Sequence, residues 1–182
     1  MNQPFAFRMP PRSRRLGRPE YVALVNRLRG NFISYVASLD AEITIIITDF
    51  FLRDKKDVPL WASTVLDDEK VSFGVKKVWF MKILSRDPRF GMDRATIRRI
   101  DARLSKIRSI RNDFAHNAAY NKQVSDEDVA GRMITLYDYE GGRLRRKRFG
   151  MQEIMDLIED PLLPAQIRRA AAACKAIRDG AP

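Results

Sequence analysis

From Tyr21 onward the apolar positions recur in steps of three and four. Tyr21, Leu24, Val25, Leu28, Phe32, Tyr35, Val36, Leu39, Ile43, Ile46 and Phe50 keep to one face of a long helix. Pro19 stands in the first turn, where its missing N–H costs nothing. Gly30 marks a bend or a break. The run Ile43-Thr44-Ile45-Ile46-Ile47-Thr48 has the β-branched composition of a strand. The three/four register passes straight through it, so helix is the reading. Residues 53–69, with Asp54, Lys55, Lys56, Asp57 and Pro59, form a connection. A further helical pattern begins near Ser72 with Phe73, Val75, Val78, Trp79, Met81 and Ile83, and ends at Asp87-Pro88. Asp93 then reads as the N-cap of a helix from Arg94 to about Ala115.

That helix carries the oddest position in the chain. Ile97, Ile100, Leu104 and Ile107 alternate steps of three and four, so the next places on the stripe are 111 and 114. Phe114 fits. Arg111 puts a permanent charge on a core-facing stripe, which is costly unless it is paired or wet.

Beyond Asn117 the pattern shortens. Ser125-Asp126-Glu127-Asp128 resembles a capping box and starts a short helix through about Arg132. Residues 134–139 and 143–149 alternate on either side of Gly141-Gly142, which predicts a β-hairpin with a basic second strand. A helix over Met151–Glu159 follows. Pro161 and Pro164 precede an Ala-rich helix from about Ala165 to Arg178. The expected fold is all-α: an antiparallel helical bundle with a small C-terminal β-hairpin and extra helices. Three segments result: a basic arm over 1–18, a bundle over 19–135, and the hairpin with terminal helices over 136–182.

Charge changes the functional picture. The 182-residue chain carries a formal net charge of +11, which favours polyanions, nucleic acid first among them. The arm has Arg8, Arg12, Arg14, Arg15 and Arg18 without an acid. Its readings are a phosphate-contacting tail or a solubilising terminus. One cysteine, Cys174, excludes an internal disulfide and suits a reducing cytosol. One Cys with one His does not make a zinc site without added carboxylates or a symmetric oligomer. No cofactor is expected. No leader-like apolar run follows the basic start, and Ile43–Leu52 is about half the roughly 20 residues of a membrane span. The expected location is the cytoplasm, away from membranes.

The only histidine, His116, lies five residues after Arg111. Imidazole moves protons near neutral pH, and guanidinium holds phosphate oxygens through paired hydrogen bonds. Together they suit metal-free cleavage of RNA, whose 2′-hydroxyl supplies the nucleophile. Asn112, one turn before His116, can fix the imidazole or contact phosphate. On a straight helix, however, Arg111 and His116 lie roughly 140° apart. They converge if the helix ends near Ala115, if Arg111 reaches around, or if two protomers share one cleft. Arg103, Arg108, Arg143, Arg145, Arg146, Lys147 and Arg148 are the candidate nucleic-acid contacts. The bland alternative makes Arg111 an ion-pair partner of Glu42 or Asp49.

Around these residues the chain resembles the HEPN superfamily (higher eukaryotes and prokaryotes nucleotide-binding). Its mark is an Arg, a polar residue, and a His after four to six intervening positions. Arg111, Asn112 and His116 match it. The wording Ile110-Arg111-Asn112-Asp113-Phe114-Ala115-His116 is most similar to the mannitol-repressor-like branch, as is the segment Phe73–Lys77. The resemblance covers about residues 20–135 and implies a helical bundle that is a homodimer. It also implies a metal-independent endoribonuclease acting on RNA, as a toxin or defence effector with an antitoxin or other protein partner. The mannitol-repressor-like branch instead implies a non-catalytic regulatory module that binds nucleic acid or a partner protein. A Tyr two residues after the His accompanies one silencing mode of such toxins. Here that position is Ala118.

Overall fold

The computed structural model describes residues 9–11, 13–52, 66, 71–116, 124–140 and 143–179. The connection expected over 53–69 (Leu66 apart), the Gly141-Gly142 turn and Ala118 lie outside these residues. The described chain is mostly helical, consistent with an all-α bundle carrying one small hairpin. In order it forms α1 (Arg18–Phe51), α2 (Phe73–Arg86), a 3-10 turn (Pro88–Phe90) and α3 (Arg94–His116). Then come α4 (Asp126–Gly131), β1 (Met133–Glu140), β2 (Arg143–Gly150), α5 (Met151–Glu159) and α6 (Leu162–Arg178). It divides into two compact units, residues 1–35 with 110–159 and residues 36–109 with 160–182. α1 and α3 each contribute one part to each unit.

The α1 stripe is as periodicity predicts. Tyr21, Leu24, Val25, Leu28, Phe32, Tyr35, Val36, Leu39, Ile43 and Ile46 are all buried, Phe50 is half-buried, and Ile47 joins them. The helix runs unbroken through Gly30. The β-branched run stays helical, and the Thr48 hydroxyl donates to the Thr44 carbonyl one turn back at 2.8 Å. By length and composition α1 is also a helix that could cross a membrane.

In the first unit, the hairpin pairs antiparallel with Ile134 opposite Phe149 and Thr135 opposite Arg148. Alternation sorts its faces. Ile134 and Leu136 are buried, and Phe149 meets Phe114 edge-on at 6.1 Å between ring centroids. Phe114 in turn meets Phe32 at 5.5 Å. The other face, with Thr135, Arg146 and Arg148, faces Asp128 of α4. Ser125 caps α4, its hydroxyl accepting from the Asp128 N–H at 3.0 Å. The Asp128 carboxylate does not turn back to complete a capping box. It accepts from Thr135 at 3.0 Å and Arg148 at 2.7 Å, with Arg146 at 3.4 Å. Part of the basic arm is also tied down: buried Arg132 donates to the carbonyls of Pro10, Pro11 and Arg14.

In the second unit, α2 buries a different face from the one its apolar residues suggest. Gly74, Lys76, Phe80, Ile83 and Leu84 are inside, while Val78 is 46% exposed. Apolar residues surround this helix, so composition leaves two stripes open. The chosen one includes Lys76, whose ammonium pairs with Asp40 at 2.9 Å. Asp93 caps α3 as expected, accepting from the Thr96 N–H at 2.7 Å. α6 starts three residues before the expected boundary and takes Pro164 into its first turn, where proline is tolerated. It buries Leu163, Ile167, Ala170 and Cys174 on one stripe.

Candidate functional site

α3 runs from Arg94 through His116, but its buried face is not constant. Ile100, Leu104 and Ile107 are buried, and then Ile110 and Phe114. After Ile107 the burial steps by three to Ile110 rather than by four to Arg111. At about 100° per residue this turns the covered face by about 60°. Arg111 therefore stands where the first stripe would have continued, on a side no longer covered, and it is exposed. The expected core-facing arginine is thus corrected: its charge costs little because the guanidinium is wet.

The contacts of Arg111 are sparse. Among the described residues its one hydrogen bond runs from Nη1 to the Asn112 side-chain oxygen at 3.3 Å. No carboxylate is hydrogen-bonded to it among those residues. The Asn112 amide holds one of five guanidinium donors and leaves the others for a ligand.

Arg29 adds a cation that sequence reasoning missed. Its Nη2 donates to the Phe114 carbonyl at 2.6 Å, and its guanidinium lies 5.6 Å from the centre of the Phe114 ring. The last four carbonyls of a helix lack internal partners, and a cation there also meets the negative end of the helix dipole. The sequence signal was faint, since Arg29 reads as an ordinary polar position on α1. His116 is the last residue of α3. Its side chain lies outside the described part of the structure. The helix does not end before His116, so a break near Ala115 does not bring the pair together.

Most of the other expected anion contacts already hold carboxylates. Arg103 pairs with Asp160 at 2.7 Å. Arg146 and Arg148 converge on Asp128, and Lys147 pairs with Asp113. Arg148 also reaches Glu127 at 3.3 Å. Arg108 lies over Gly74 of α2, where an added Cβ would sit 2.6 Å from its Cζ. Arg145 is exposed on β2. Arg143 pairs in register with Glu140, and its side chain lies outside the described part. The basic strand is thus largely neutralised by local acids. Among the described residues no cluster of three His, Cys, Asp or Glu side chains is placed to hold a metal ion.

The Asp128 hub has its own electrostatics. Burial pushes its carboxyl up, but hydrogen bonds from Ser125, Thr135 and Arg148 more than offset this and hold it below the ordinary range. Tyr21, whose hydroxyl donates to the Met133 carbonyl, is pushed up to about 12 by burial and then by the charge of Asp128.

Comparison with protein-family models, curated proteins and solved structures finds no match to this chain. The functional reading therefore stands on the residues themselves.

Proposed function

We propose that this chain is a metal-independent endoribonuclease of the HEPN type, with Arg111 as phosphate clamp, His116 as general acid/base and Asn112 orienting them. The observation that carries this reading is Arg111 itself: exposed, steadied by the Asn112 amide, and without a carboxylate among the described residues. In the reaction an imidazole takes the proton of a ribose 2′-hydroxyl. The 2′-oxygen attacks the adjacent phosphorus, the guanidinium stabilises the crowded oxyanion, and the 5′-oxygen leaves with a proton given by an imidazolium. The products are a 2′,3′-cyclic phosphate end and a 5′-hydroxyl end. Because α3 is unbroken, the separation of about 140° is best met by two protomers, Arg111 from one and His116 from its partner. A cytoplasmic homodimer acting as a toxin or defence effector, held in check by a protein partner, is the setting this reading implies.

The same unbroken helix favours a second reading, a non-catalytic module that binds RNA or a partner and regulates. Incubating purified protein with total RNA in EDTA separates the two. Cleavage that falls about 100-fold or more in both Arg111→Ala and His116→Ala supports the nuclease. Intact RNA with retained binding supports the regulatory module. Cleavage unchanged in both variants overturns the assignment of the pair.

A further inference from the structure

The second unit holds an open apolar groove that the Arg111–His116 reading does not use. It lies between the end of α1 and the second half of α2, with a volume of about 530 Å³. That is within the roughly 300–1,000 Å³ of sites that take a single small ligand. The end of α1 contributes Phe50, Phe51 and Leu52, and α2 contributes Trp79 and Ile83. This lining is anchored in the core. Phe50 packs against buried Phe90 at 6.2 Å between ring centroids and meets Phe51 edge-on at 5.3 Å, while Ile83 is buried. Phe51 is nevertheless 55% exposed, and taking such apolar surface out of water is favourable. The polar groups of the groove are of one sign. Lys82 and Arg86 line it, one turn apart on α2 and both exposed. Among the described residues neither side chain has an ion-pair partner. The nearest acid along the chain, Asp87, turns instead to Arg89, accepting from its guanidinium and its backbone N–H. Arg86 stands in the last turn of α2, where the negative end of the helix dipole answers part of its charge. Lys82 lies one turn back, outside that compensation.

The groove therefore asks for a slender apolar body with one negative end. We propose that it binds a medium-chain carboxylic acid, the hydrocarbon chain lying on the aromatic rings and the carboxylate held by Lys82 and Arg86. A monoanion suffices, since one of the two cations is already partly compensated. The guanidinium offers a carboxylate two parallel hydrogen bonds, and the ammonium adds a point charge beside them. Both cationic heads stay in water at the rim, so no charge is drawn into the apolar part. A helical peptide laid in a groove needs anchor pockets at successive turns of its apolar face. Here seven residues surround a single hollow, which gives room for one chain instead. The proposal does not rest on RNA cleavage, because Arg111 belongs to the first unit and binding in the groove is read directly.

The test is equilibrium dialysis of the full-length protein against hexanoate, octanoate, decanoate and octan-1-ol, each below its aggregation threshold. Every methylene taken out of water strengthens binding about fourfold, so octanoate binds about 15-fold tighter than hexanoate. Octan-1-ol has the chain without the charge and binds about tenfold more weakly than octanoate. Lys82→Gln combined with Arg86→Gln brings octanoate down to the level of octan-1-ol and leaves octan-1-ol unchanged, a pattern that misfolding does not produce. Phe51→Ala weakens octanoate and octan-1-ol by the same factor. No binding of decanoate at millimolar concentration overturns the proposal. So does an affinity indifferent to chain length, equal affinity for octan-1-ol, or octanoate binding unmoved by the double variant. In the case of no binding, Phe51→Ala also shows what fills the groove instead. A lowered melting temperature assigns it to another segment of this chain, and a changed sedimentation coefficient assigns it to a second copy.

Discussion

Asp128 shows how one short side chain can organise its surroundings. It is 1% exposed, yet it accepts from a threonine and two arginines drawn from both strands of the hairpin. Its carboxyl titrates below the ordinary value of 3.8. A depressed folded value gives stability that is complete above the unfolded value and is lost as pH falls through the folded one. Wild type should therefore lose melting temperature steeply below about pH 4. Asp128→Asn should start less stable at neutral pH and show a flatter acid limb in the same thermal scans. Tyr21 has the opposite sign. Raised to about 12 by burial and then by Asp128, its neutral form contributes stability that is complete below pH 10 and lost as pH climbs toward 12. Tyr21→Phe should remove that alkaline limb, and absorbance titration should show one tyrosine ionising late. Arg132 is the third such residue, in the left-handed region at φ 49° while holding three carbonyls of residues 10–14. Arg132→Ala should cost about 2–3 kcal/mol in denaturant melts and open the segment near Pro11 to proteolysis. An unchanged cleavage pattern would show that these bonds do not hold the arm.

At the level of elements, legibility followed how uniquely each pattern chose a face. α1 was readable because eleven apolar positions agree on one stripe, even though Ile33 and Ile45 stand exposed outside it. The hairpin was readable because alternation and a Gly-Gly pair agree. α2 was not, because apolar residues surround it and the buried stripe contains Lys76, whose partner Asp40 no local pattern announces. α3 failed at one step. From Ile107 the sequence permits a move to Ile110 or to Arg111, and only packing chooses. Arg111 stands out in the sequence as a charge on an apolar stripe, and in the structure as an exposed guanidinium. Arg29 was invisible because it acts on a carbonyl of another helix. Its removal gives a prediction at this scale. Arg29→Met keeps much of the contact with Phe114 but loses the cap, and should cost about 1 kcal/mol. Hydrogen exchange should quicken in the last turn of α3. If that turn positions His116, RNA cleavage should fall by more than the stability loss alone explains, at temperatures where the variant is fully folded.

Across the whole molecule, a net charge of +11 suggests a diffuse grip on nucleic acid, but the ion pairs redistribute that charge. Arg103, Arg146, Lys147 and Arg148 face carboxylates, whereas Arg99 and Arg111 have no hydrogen-bonded carboxylate among the described residues. A paired cation gains little from a phosphate, because it must first release its acid or share it. Counterion release should therefore count the unpaired arginines rather than all basic residues. For single-stranded RNA each phosphate contact adds about 0.7 to the magnitude of the slope of log K against log salt. Arg111→Ala should lower that magnitude by about 0.7, while Lys147→Ala should leave it nearly unchanged. The slopes can be measured by fluorescence anisotropy with a labelled RNA that the protein does not cut. If Lys147→Ala and Arg146→Ala lower the slope as much as Arg111→Ala does, the hairpin acids yield to RNA. The basic strand, not the end of α3, would then be the principal phosphate contact.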